Sequence, residues 1–128
     1  MVVALAGVVV WASLAILGLG GPAFAGQVRF GAYQGMNVCD VGDAVEVLPS
    51  GSLMFWSAVF STTVPIGHEL VIERAKDGVI EKSDSFVADR AVDCMGTPIA
   101  AGPLYTGMYT LTIRDGTTVL ATGSLAIR

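Results

Sequence analysis

The sequence predicts an all-β domain, a two-sheet sandwich of seven or eight strands, preceded by an N-terminal apolar helix. Three observations carry that reading. From residue 26 onward, segments of β-branched and aromatic residues alternate with clusters of Gly, Pro, Asp and Ser. No window there repeats apolar residues at helical spacing for three turns. The candidate strands fall within about 100 residues, the density of a two-sheet sandwich.

The helix comes first. Of the 128 residues, 53% are hydrophobic and 14% charged, and every charged side chain lies at or beyond Arg29. Segment 2–19 is apolar apart from Gly7, Ser13 and Gly18, and a Gly-Leu-Gly-Gly-Pro run ends it at Pro22. Ala23-Phe24-Ala25 follows, with the small residues at first and third place that a signal peptidase accepts. The expected organisation is therefore a signal peptide over 1–25 and a β-sandwich domain over 26–128. As a helix the apolar run would span roughly 27 Å, a little short of a ~30 Å hydrocarbon layer. Retention as a membrane anchor is the alternative, and contact with a membrane is expected only in that case. Both readings place the domain outside the cytoplasm, secreted, periplasmic or membrane-anchored. The mean hydropathy of +0.68 comes largely from this segment, since no later stretch is as long and apolar.

Two cysteines, Cys39 and Cys94, lie in the domain. An even pair in an oxidising compartment reads as a disulfide. Closing a loop of that length is worth about 4 kcal/mol in the chain-entropy account. A redox or metal-binding pair is disfavoured because the spacing is not CxxC and His68 is the single histidine.

The strands follow in order as 27–33, 44–48, 53–60, 69–75, 79–83, 86–88, 109–114 and 117–127. Leu53-Met54-Phe55-Trp56-Ser57-Ala58-Val59-Phe60 is the most apolar run of the domain, so both of its faces are expected to be covered. The sharper reading makes Phe55 or Trp56 an exposed platform for a protein or carbohydrate partner. At Asp77-Gly78 a two-residue turn sets Arg74 against Glu81 and Glu73 against Lys82, whereas a three-residue loop sets two glutamates together, so the shorter turn is favoured. Residues 89–107, broken by Gly96, Pro98, Gly102, Pro103 and Gly107, read as one long connection tied down by Cys94. In the last hairpin, Tyr109, Leu111 and Ile113 share a face. Thr117, Val119, Ala121, Gly123, Leu125 and Ile127 form the returning face, which predicts a three-residue loop pairing Leu111 with Val119 and a left-handed Gly116.

The stretch Ala58-Val59-Phe60, Val64-Pro65-Ile66-Gly67, Leu70-Val71-Ile72 and Asp77-Gly78, and the ending from Gly107 through Asp115-Gly116 to Ile127, resemble small bacterial extracytoplasmic immunoglobulin-like domains. The resemblance covers about half of 26–128 and implies a fold, not an activity. Trp56 lies between the cysteines, as in antibody-type domains, but the tyrosine expected two residues before the second cysteine is replaced by Val92.

Chemistry is sparse. Serine-type hydrolysis would need His68 as base, and no GxSxG elbow presents a nucleophile. His68 reads as a strand-end residue. Asp40, Asp43 and Glu46, with Asp89 and Asp93 across the disulfide, form the acidic cluster that could be asked to hold Ca²⁺, yet no calcium-loop spacing is present. No phosphate-binding glycine loop occurs. A net charge of −4 with scattered lysines and arginines argues against nucleic acid. The expectation is an exported, non-catalytic binding or structural module at the cell envelope or outside it, without cofactor or metal. The competing reading is a small secreted hydrolase using Asp40, Asp43 or Asp89.

Overall fold

The computed structural model describes residues 26–34, 39–97 and 101–128. The segment 1–25, with its expected helix and cleavage point, lies outside them. Eleven strands are described: β1 (Gln27–Gly31), β2 (Tyr33–Gln34), β3 (Val41–Gly42), β4 (Val47–Leu48), β5 (Ser52–Val64), β6 (Glu69–Lys76), β7 (Val79–Val87), β8 (Val92–Gly96), β9 (Ala101–Leu104), β10 (Gly107–Asp115) and β11 (Thr118–Ile127). Among the described residues no helix is long and apolar enough to cross a membrane.

Hydrogen bonding runs β9-β5-β1-β11-β10-β6-β7, with β8 also on β5 and β4 also on β11. The path folds over on itself. β1, β5, β8 and β9 make one layer, and β11, β10, β6 and β7 make the other. Met54 and Trp56 of the first therefore face Ile72 and Leu111 of the second. The layers join where β1 meets β11 in parallel, Gln27 beside Thr122. The second layer is built from two hairpins, β6–β7 and β10–β11, and between them the chain returns to the first layer as β8 and β9, the exchange of strands between two sheets found in Greek-key sandwiches of the immunoglobulin-like kind.

Alternation explains the core. Val28 and Phe30, then Met54, Trp56, Ala58 and Phe60, point inward from the first layer. Leu70, the set Tyr109-Leu111-Ile113, and Leu125 with Ile127 meet them from the second. Each large side chain so buried contributes roughly 1.5–3 kcal/mol. The outer face of the second layer is polar by the same parity. Thr110 meets Ser124 and Thr112 meets Thr122, each pair at 3.2 Å, and Arg114 grips Glu73 through two parallel bonds of 3.0 and 2.8 Å.

β5 is covered along its inner face, but its outer face is covered only in part, since Leu53 and Val59 stay 53% and 43% exposed, contrary to the expectation of two covered faces. Its inner face meets the second layer, and the short β2–β3 hairpin lies over part of the outer face. The Cys39–Cys94 disulfide, Cα to Cα 5.6 Å, fastens that hairpin to the sheet. Cys94 sits on β8 opposite Val59 of β5, so the bridge lies on the outside of one layer and does not cross the core. That placement explains Val92. The strand entering the last hairpin is β10, and its tyrosine is Tyr109, buried, whose hydroxyl accepts a 3.4 Å bond from the Tyr105 N–H. This is the upstream backbone contact of a tyrosine corner.

Several boundaries and registers differ from expectation. Residues 89–107 are not one connection but hold β8 and β9, both laid on β5; their glycines and Pro103 hide a ladder that a long neighbour supplies. Segments 79–83 and 86–88 merge into the single strand β7. The Asp77-Gly78 turn has two residues, both at positive φ (50° and 85°), with Lys76 opposite Val79. A bulge at Glu81 then sets Arg74 opposite Lys82, although Arg74 still reaches the Glu81 carboxylate at 2.8 Å. In the last hairpin Leu111 faces Gly123, not Val119, and Asp115 faces Thr118. The turn is Gly116-Thr117, with Gly116 left-handed at φ 61°. A bulge beside Leu120 restores parity, so Leu120 is buried and Val119 is 49% exposed.

Candidate functional site

The two layers part at the β7 edge and leave a cleft of about 540 Å³, within the ~300–1,000 Å³ range of ligand sites. β5 supplies Met54 and Trp56 to one wall, joined by Met95 of β8. β6 and β10 supply Ile72 and Leu111 to the other. Arg74, Lys82, Asp84 and Phe86 stand at the mouth. The charges are there because parity puts them there. Leu70, Ile72, Arg74 and Lys76 share the inward face of β6, so the strand turns from core to cation as it leaves the interior. The Arg74 guanidinium and Lys76 ammonium stand 5.9 and 5.7 Å from the centroid of the Tyr109 ring, within cation–π range. Arg74 is held by Glu81 and Lys82 approaches Asp84 at 3.9 Å, so the rim carries balanced charge over an apolar floor.

Trp56 lies on that floor, 9% exposed. Phe55, half-buried, is on the opposite face of β5, beside Gly31 of β1. The two side chains therefore do not form one platform. Ile72, Arg74, Phe86 and Met95 were not among the residues that the sequence offered as a partner surface. The signal that could have found the cationic rim is the run Leu70-x-Ile72-x-Arg74-x-Lys76, in which charge occupies core-parity positions.

The acidic residues disperse. Asp40 faces Arg29 at 3.8 Å, Asp89 pairs with its neighbour Arg90 at 3.3 Å, and Asp43 accepts the Tyr33 hydroxyl. That hydrogen bond to a carboxylate holds the Tyr33 phenol above its ordinary pKa. Among the described residues no three His, Cys, Asp or Glu side chains converge where a metal ion could sit. His68 donates its Nδ1–H to the Asp115 carboxylate at 2.7 Å, tying the start of β6 to the end of β10. Sequence spacing gave no sign of this pair, which is 47 positions apart.

No family model matches the chain, and no curated protein matches it significantly. Among solved structures, an immunoglobulin-like protein from Pseudomonas aeruginosa is similar, with a TM-score of 0.47 and 17% sequence identity, covering 85% of this chain and 100% of the other.

Proposed function

We propose that the chain is an exported, non-catalytic immunoglobulin-like module that binds a protein partner at the cell envelope or outside it through the cleft between its layers. The carrying observation is the cleft itself, with an aromatic and methionine floor beneath a rim of Arg74, Lys82 and Asp84. An apolar floor with polar groups only at the mouth suits an inserted apolar side chain. A sugar ring, whose hydroxyls need partners around its whole edge, suits it less well. Export is supported by the Cys39–Cys94 bridge, because such bonds persist in oxidising compartments. The Ala23-Phe24-Ala25 cleavage signal agrees with it.

Trp11 and Trp56 are the two tryptophans, so cleavage after Ala25 leaves Trp56 as the sole reporter. Exported protein is titrated with fractionated envelope proteins and with envelope glycans while Trp56 emission is followed. The reading expects a protein fraction to shift the emission with a dependence lost in Arg74→Ala. Emission that no fraction changes, or that changes equally in Arg74→Ala, contradicts it.

A further inference from the structure

β7 ends the hydrogen-bonded path, and among the described residues no strand lies against its other edge. All nine of its residues are exposed. A free edge of that length invites another strand, and proteins usually block it with an inward-pointing lysine. Lys82 is such a residue, but it is followed two positions later by Asp84, on the same face of the strand. Their side chains are 60% and 63% exposed and only loosely engaged with each other.

The strand Val79-Ile80-Glu81-Lys82-Ser83-Asp84-Ser85-Phe86-Val87 is self-complementary about Ser83. We propose that the chain forms a two-fold dimer by antiparallel pairing of β7 with β7 of a second copy, centred on Ser83. That register sets Lys82 of each copy directly opposite Asp84 of the other, twice by symmetry. Because the bulge at Glu81 shifts the strand by one residue, Val79 shares the inward face with Phe86 and Ile80 the outward face with Val87, and the same axis brings each of these exposed side chains near its like-facing counterpart in the other copy. Neighbouring registers lose this match: a shift of the centre by one residue, to Asp84, sets Lys82 against Phe86 and the two aspartates against each other. The lysine that repels a foreign edge thus becomes a selector for the chain's own edge. This inference concerns self-association and does not depend on what the cleft binds.

The test is sedimentation velocity on the protein recovered after expression of the full sequence, with the variants Lys82→Asp and Asp84→Lys. Wild type is expected to dimerise in a concentration-dependent way. Each variant replaces two attractive pairs by two repulsive ones and raises the dissociation constant about 10- to 100-fold. Mixing the two variants faces every aspartate with a lysine again, so a one-to-one heterodimer returns at the wild-type affinity, which also shows that both variants fold. A wild type that stays monomeric at millimolar concentration overturns the proposal. So does a dimer that both variants retain, or a loss that the mixture does not reverse.

Discussion

A carboxylate held by a guanidinium titrates unlike a free one, and Glu73 is gripped by Arg114 from both sides. The hydrogen bonds from Arg114 hold its pKa below the ordinary value near 4.5, against a smaller opposing effect of burial. The sign follows directly. In the unfolded chain Glu73 takes up its proton near the ordinary value, while in the folded protein it stays charged to lower pH. The pair's contribution is therefore complete above pH 4.5 and fades as pH falls through the folded value. Melting temperatures followed from pH 6 downward should decline less steeply in Glu73→Gln than in wild type once pH passes below that value. Parallel curves would remove the pair from the account. Tyr109 offers a second check, since Tyr109→Phe deletes the bond accepted from the Tyr105 N–H while keeping the ring in the core. A loss of about 1 kcal/mol in urea unfolding, with unchanged slope, is expected.

The elements show where local pattern was sufficient. β5 was legible as the most apolar run of the domain and β6 as a β-branched segment closed by a turn, and the Asp77-Gly78 turn was legible because two left-handed positions in a hairpin select those residues. β8 and β9 were not, because Val92–Gly96 and Ala101–Leu104 are made strands by β5, a partner distant in sequence, the nearest pair being Val64 with Val92. The last hairpin was half legible. Its two faces were readable, but the turn lies at Gly116-Thr117, not Arg114–Gly116, and with the bulge at Leu120 this moves Leu111 from Val119 to Gly123. Close approach of backbones is equally invisible in sequence. A Cβ on Gly123 would stand 2.3 Å from the Val28 carbonyl oxygen, so Gly123→Ala must push β1 away from β11 at the junction of the layers. We expect it to destabilise the domain by about 1–3 kcal/mol, measured by chemical unfolding. An unchanged midpoint would mean that the layers are not joined there. Breaking the bridge acts on a different element. Cys39→Ser should lower stability by up to about 4 kcal/mol and speed amide exchange first around Val41 in the β2–β3 hairpin. Protection in β10 and β11 should outlast it.

At the scale of the whole molecule, the two layers are joined where β1 meets β11 and part at β7, and each side holds a cleft, of about 530 Å³ beside the β1–β11 junction and about 540 Å³ at β7. The β7 cleft differs from the other in its aromatic and methionine floor under Arg74, Lys82 and Asp84. The all-β class and the pairing of Cys39 with Cys94 were legible from composition, spacing and count. The cleft was not, because it is a gap between Met54 and Trp56 on one layer and Ile72 and Leu111 on the other, and no contiguous stretch of chain encodes a gap. Phe55 and Trp56 are adjacent in sequence yet fall on opposite faces of one strand, and only the strand's position in the sandwich decides which of them lines the cleft. The exported, stapled sandwich is the claim on which the rest depends. Its most direct test is a non-reducing peptide map with intact mass on protein exported from the full sequence. A chain beginning at Gly26, two hydrogens lighter than its dithiol, with the Cys39 peptide joined to the Cys94 peptide, is the predicted result. Free thiols on both cysteines in protein recovered outside the cytoplasm would contradict it.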